Sequence, residues 1–417
     1  MTAVVPRVRV FSSLAVPNYR LFAGGQVVSL AGTWMQRVAQ DWLVLDLSGG
    51  SATALGIAAA LQFSPTIVLS LYGGVLADRV DKRRMLVALQ AGMGLCALVL
   101  GVAVVGGLVA LWHVYLLCAV LGCFSALEVP VRQAFVVELV GPDQVGNAVA
   151  LNSMNFNLAR IVGPSVAGVL IAAIGSGWVF LANAVSFAAV IAGLLLMDPG
   201  RLHRAPPVPR EPGQLRAGLR YVRDRPDLVA VLALVFLVST FGINFYLTLA
   251  VLARSVFESG PETYGLFTAL LAVGSVCGAV VAARRAGRPR LRTVTAFALL
   301  FGALLTLLGA MPTPTLACVV LVPLGLATLL FTTAANSTVQ LSVDPAMRGR
   351  VMGLYILLFL GGTPVGAPLL GLVAERFGGR SPLLAGGAVT VASVVVVAAV
   401  MWWRDRSRIA SCVHRGG

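Results

Sequence analysis

A chain of 417 residues, 58% apolar, only 11% charged and with a mean hydropathy of +0.91, is not an ordinary soluble protein, in which about a quarter of residues are charged. Its apolar runs are continuous over about twenty residues instead of alternating over about ten, which excludes a transmembrane β-barrel and leaves an all-α polytopic membrane protein. The net charge of +15 would suggest nucleic acid in a soluble chain. Here every Lys and Arg except Arg37, Arg160, Arg254, Arg376 and Arg380 falls in a segment assigned to the cytoplasm or, as Arg20 and Arg132 do, near the cytoplasmic end of a span, so the excess reports topology and no nucleic-acid partner is expected.

In chain order, the residues up to Pro17 are basic but lack an apolar core before a cleavage site, so no removable signal peptide is expected. Six spans follow at 18–46, 54–77, 85–107, 111–136, 147–174 and 178–197. After a break, six more lie at 228–252, 264–283, 293–311, 315–337, 351–374 and 382–403. Each matches a hydrocarbon thickness of about 30 Å at about 1.5 Å per residue. About twelve helices with basic residues at both ends of the chain place both termini in the cytoplasm.

The break, 198–227, opens with five prolines and becomes amphipathic from Gln214 to Asp224, with Leu215, Leu219 and Val222 opposite Arg216, Arg220 and Arg223. Such a segment either lies on the inner leaflet, where anionic lipid attracts each Arg by about 1 kcal/mol, or is a plain tether. A shift of 203 positions superposes Val140, Pro142, Gly146, Leu151, Gly163 and Gly168 on Val343, Pro345, Gly349, Leu354, Gly366 and Gly371. The chain therefore reads as two six-helix bundles, 1–197 and 228–417, joined by the linker 198–227. The six cysteines show no CxxC and no clustering with His, so no metal site, disulfide framework or cofactor is expected.

Charges inside spans cost about 2.5 to 3.5 kcal/mol and need a reason. Arg160 lies mid-span, on one helical stripe with Ser153, Asn157 and Pro164, which marks either an aqueous cavity or an Arg tied to a neighbouring helix. Glu128 and Arg132 are i and i+4: Glu128 is either the protonatable carboxylate or a partner that neutralises Arg132. Arg132 comes to the depth of Asp78, so a latch between them is expected. Arg37 and Asp41 form a second i, i+4 pair, interfacial or cargo-clamping, with Gln36 beside them. Asn244 and Asn336 are further cavity candidates, although single polar residues in spans often just bond a neighbouring helix.

The stretch Gly73 to Arg84, GGVLADRVDKRR, compresses two acids and four basic residues between two spans. It resembles the signature loop between helices 2 and 3 of the major facilitator superfamily, with Gly74, Asp78, Arg79 and Arg83 at its motif positions and Asp81 where that family usually has Gly. R-I-V-G-P-x-x-x-G, containing Gly163 and Pro164, resembles the fifth-helix motif of the superfamily's antiporters, which implies exchange; an ordinary small-residue contact is the other reading. N-Y-R-L-F-x-x-G-Q from Asn18, P-V-R-Q-A-F-V-V-E-L-V from Pro130 and A-L-N-S-M-N-F-N-L-A-R-I-V-G-P from Ala150 look like the exporter branch that includes enterobactin exporters and macrolide efflux proteins. Leu116 and Leu117 stand where many drug antiporters have an Arg, so their proton relay does not transfer.

The resemblance implies a monomeric transporter of the inner or plasma membrane, exporting an amphipathic small molecule, a drug, siderophore or secondary metabolite, in exchange for protons. An uptake symporter and, from another class, a non-transporting receptor are the rivals. An enzyme is not expected, because no Ser-His, zinc-protease or paired-acid constellation appears.

Overall fold

The computed structural model describes residues 11–203, 214–285 and 289–413, the side chains of 70–79, 214–218, 345–346, 401–402 and 404–413 excepted. The first set of helices is α1 (Pro17–Leu47), α2 (Ala52–Arg79), α3 (Lys82–Val105), α4 (Leu111–Val140), α5 (Val145–Ile174) and α6 (Ser176–Leu195). The second is α7 (Gln214–Arg223), α8 (Pro226–Phe241), α9 (Phe245–Val251), α10 (Pro261–Ala283), α11 (Leu291–Ala310), α12 (Pro314–Ser342), α13 (Pro345–Phe377) and α14 (Ser381–Val413). Among the described residues eleven helical stretches are long and apolar enough to cross a membrane. α1 is not among them: its 31 residues are long enough, but Arg20, Arg37, Asp41 and Asp46 dilute its hydropathy. This is a multi-pass, all-helical membrane protein.

The chain clusters into two compact units. The first comprises Met1–Ser48, Leu61–Arg210 and Gly260–Ala269; the second comprises Gly49–Ala60, Glu211–Ser259 and Leu270–Gly417. Each uses one packing scheme. In the first, α6 lies against α1 and α3, α5 against α1, and α4 against α3; in the second, α14 lies against α8 and α11, α13 against α8, and α12 against α11. The pairs match helix for helix, as expected if two copies of one sequence plan fold by the same contacts.

Lipid tails are as apolar as Leu, so helices in a membrane gain little by hiding apolar side chains and associate through close packing and hydrogen bonds. The glycines of the repeat show this. A β-carbon on Gly163 would lie 2.6 Å from the Trp34 β-carbon of α1. Its counterpart Gly366 meets the Thr240 carbonyl of α8 still more closely. The next pair also corresponds: a β-carbon on Gly168 would come 2.7 Å from the Pro261 carbonyl at the start of α10, within the first unit, and Gly371 packs on Ala52 and Thr53 at the start of α2, within the second.

At the end of the first unit that carries the 79–84 turn, an apolar cluster of Tyr19, Phe22, Leu86, Val131, Phe135 and Leu139 ties α1, α3 and α4 together. Phe22 and Phe135 meet edge to face at 6.0 Å, and the Tyr19 hydroxyl donates to the Ala148 carbonyl at 3.0 Å. The turn into α3 uses Asp81 as its N-cap: at φ −64° the backbone needs no glycine, and the carboxylate accepts from the Arg84 backbone N–H at 3.0 Å. This accounts for Asp81 at the position where the superfamily loop usually has Gly.

Two expectations are refined. The seventh span is broken at 242–244 into α8 and α9; the Asn244 side chain donates to the Ser239 and Thr240 carbonyls at 3.2 and 2.7 Å, replacing the missing backbone donors. The amphipathic linker segment forms α7 and packs on α13. The Tyr221 hydroxyl donates to Asp344 at 3.0 Å, and Val222 is buried while Leu219, Arg220 and Arg223 are exposed.

Candidate functional site

The polar residues of the first unit fall into two kinds, those used between helices and those left facing open space. Gln36 is buried and accepts from the Asn183 amide at 2.6 Å, joining α1 to α6, while Gln40 donates to Gln62 at 2.8 Å. In hydrocarbon an unpaired polar group costs several kcal/mol, so these amides hold the bundle together. Asn244 belongs with them, buried in the α8–α9 break. Asn336 does not. It lines an open groove of the second unit with Thr332, Thr333, Tyr355, Ile356 and Phe359, where Tyr355 and Phe359 stack in nearly parallel planes.

The embedded charges are mostly engaged. Glu128 is buried; it accepts from Arg132 Nε at 2.8 Å and from the Gln90 amide at 3.3 Å. Asp41 is buried and accepts from the Tyr264 hydroxyl at 2.7 Å, and Arg37, one turn earlier, lies 4.6 Å over the Phe63 ring. Gly74, Asp78 and Arg79 fall outside the described side chains. Arg83 is described: its guanidinium donates to the Leu194 and Leu195 carbonyls at 2.6 and 2.8 Å. It thus covers the orphan carbonyls at the end of α6, where a cation also suits the helix dipole. Next to it Lys82 pairs with Glu138 of α4 at 2.8 Å.

Arg160 differs from these. It is half-buried, and among the described residues it makes no hydrogen bond, ion pair or ring contact. The side of α5 opposite it carries exposed Leu158, Val162 and Val169, suited to lipid. On its own side, the α5 residues beyond it (Gly163, Pro164, Ala167, Gly168 and Ile171) are buried, held there by α1 and by the start of α10. The residues before it stay accessible. Asn157 is half-buried, with its amide on the Ser153 carbonyl at 2.8 Å, and Phe156 meets Trp34 edge to face at 5.5 Å. The stripe Ser153, Asn157, Arg160, Pro164 therefore turns away from the apolar face and is sealed only on the far side of Arg160.

Several of these residues were not foreseen from the sequence. Trp34, Phe156, Tyr355 and Phe359 are aromatic residues in apolar runs, where nothing separates a lining ring from a packing ring. Phe156 and Phe359 are nevertheless 203 positions apart, as are the repeat glycines. Tyr264 and Glu138 gain meaning only through Asp41 and Lys82. In the second unit Glu375 accepts from the Ser51 hydroxyl and from the Thr53 backbone N–H (3.1 Å), capping α2. The described residues contain no group of His, Cys, Asp and Glu able to hold a metal ion.

Two six-helix packing schemes of one kind, glycine contacts repeated between them, and a charged stripe turned from lipid define a membrane transporter rather than an enzyme. The chain belongs to the transmembrane secretion effector family of the major facilitator superfamily, whose profile matches residues 9–410. It is similar to the staphyloferrin A transporter of Staphylococcus aureus (strain NCTC 8325 / PS 47), 26% identical over 86% of this chain and 90% of that one. It is similar too to the enterobactin exporter EntS of Escherichia coli O1:K1 / APEC, 27% identical over 85% of each. Among solved structures it resembles a bacterial homologue of the human lysosomal transporter Spinster, inward-facing and unoccupied (TM-score 0.69, 15% identity, 91% of this chain and 94% of that one). The nucleoside transporter NupG is comparable (TM-score 0.72, 13% identity, 92% and 99%). The structural likenesses establish the fold.

Proposed function

We propose that this protein exports an amphipathic small molecule of the siderophore, drug or secondary-metabolite kind in exchange for protons. It works as a monomer with both termini in the cytoplasm, and the halves 1–197 and 228–417 carry out alternating access. The observation that carries this reading is the α5 stripe: a mid-span Arg on a face turned from lipid, closed beyond Arg160 and accessible before it. Two relatives whose names specify siderophore cargo support it.

Glu128 carries the coupled proton in this scheme. Ionised, it holds Arg132 at 2.8 Å. Protonated, it releases the Arg132 guanidinium to pair with Asp78, which the sequence places at a matching depth, so that proton binding and the inner latch are one event. Gly163 and Pro164 keep α5 tight on α1 and α10 and limit leak.

Inverted membrane vesicles test the reading: a proton gradient should drive cargo into the vesicle lumen, and Glu128→Gln should abolish uphill movement while leaving energy-independent exchange. Movement in the opposite sense would make the protein an uptake symporter. Absence of flux for every compound that a deletion strain becomes sensitive to, or fails to secrete, would leave a receptor.

A further inference from the structure

The transporter reading leaves the chemistry of the cargo open, and the surroundings of Arg160 narrow it. Other charges embedded in the helices of the same unit have local partners: Asp41 has Tyr264, Glu128 has Arg132 and Gln90, and Arg37 sits on Phe63. Arg160 is midway along α5 and half-buried, and the described residues supply it with no carboxylate, carbonyl or ring. A cation at this depth with no counter-charge among the described residues is accommodated on an accessible face, where water solvates it and an anionic ligand can pair with it. No lipid-facing site is involved, because the exposed apolar residues Leu158, Val162 and Val169 lie on the opposite side of the helix.

An aromatic pair one turn earlier on the same side of α5 suggests the rest of that molecule. Phe156, one turn before Arg160, is 40% exposed and meets the Trp34 ring at 5.5 Å and 72°. An aromatic wall one helical turn from a guanidinium fork suits a ligand with a planar apolar ring and a two-oxygen anion, the ring against the wall and the oxygens on the fork. Resting on the export reading, we propose that Arg160 is the anion-recognition residue of the cargo site, and that the cargo is an aromatic organic anion bearing a carboxylate or similar oxyanion.

The test is equilibrium binding by the purified full-length protein in phosphatidylcholine nanodiscs, with radiolabelled 2-naphthoate and 2-naphthylmethylammonium, which share a ring and differ in charge. The anion should bind at least about tenfold more tightly than the cation. Arg160→Gln should remove that preference without weakening the cation, and Arg160→Lys should retain only part of it, because an ammonium lacks the planar fork. Should Arg160→Gln fail to fold, Asn157→Asp serves in its place: it sets a carboxylate three residues from Arg160 and should likewise abolish the preference.

A wild-type protein that binds neither probe, or both equally, overturns the proposal, as does a folded Arg160→Gln variant with unchanged naphthoate binding. A lipid phosphate offers the same oxyanion. If adding phosphatidylglycerol to the discs eliminates naphthoate binding, the occupant is a headgroup and the cargo assignment falls. Binding is measured without a gradient, so failure of export and failure of anion recognition are separately visible.

Discussion

The Tyr264 hydroxyl donates a 2.7 Å hydrogen bond to the Asp41 carboxylate, and both side chains are buried. It joins residues 223 positions apart, bringing the first turn of α10 onto α1 within one compact unit. Tyr264→Phe removes the donor and leaves the carboxylate short of a partner. Interhelical hydrogen bonds in membranes are worth about 0.6 kcal/mol on average and up to about 1.7, and a charged acceptor belongs near the upper figure. Thermal unfolding of Tyr264→Phe, Asp41→Asn and the double variant should give a coupling of about 1 kcal/mol. Strictly additive losses would mean that the bond contributes nothing to stability.

The repeat glycines yield a graded expectation. Gly163→Ala and Gly366→Ala should each lower the yield of monodisperse protein and the unfolding temperature, Gly366→Ala more severely, because its new methyl meets a backbone carbonyl of α8 that cannot rotate away. Gly146→Ala and Gly349→Ala, at repeat positions with open space around them, should be neutral or stabilising by up to about 1 kcal/mol. Equal tolerance at all four positions would show that close helix approach is not what the glycines serve.

Arg83 covers the last carbonyls of α6, and its loss has a local signature. Arg83→Ala should speed backbone amide exchange in the final turns of α6 while leaving α4 and α5 unchanged, with a stability cost of about 1 to 2 kcal/mol. Uniform acceleration throughout the unit would instead point to a general loss of packing.

Arg132 is held by Glu128 here, and the latch proposal requires it to exchange that partner for Asp78 during transport. Asp78→Asn and Arg132→Ala should each reduce transport at near-normal expression. The double variant should be little worse than either alone, since both remove one interaction. If the two losses multiply in the double variant, Asp78 and Arg132 act independently.

The helical membrane class and the two-part repeat were legible in the sequence, because hydrocarbon imposes rules that act on single segments: length, apolarity, intolerance of unpaired charge. The glycine register 163/366 and 168/371 was visible as a pattern, and its purpose became clear once the neighbouring backbones of Thr240, Pro261 and Ala52 were in place. The Glu128–Arg132 pair was open to reading from its i, i+4 spacing; that Arg160 has no partner among the described residues was decided by tertiary structure. Arg132 and Arg160 are both single arginines in apolar helices, yet one has a carboxylate on the adjacent turn and the other has none among the described residues. The same holds for Gln36, spent on Asn183, against Asn157, which faces open space, and for Tyr264 and Glu375, whose partners lie 223 and 324 positions away. Periodicity along one helix assigns a residue to a face; the helix packed against that face determines whether it is a joint or a binding surface.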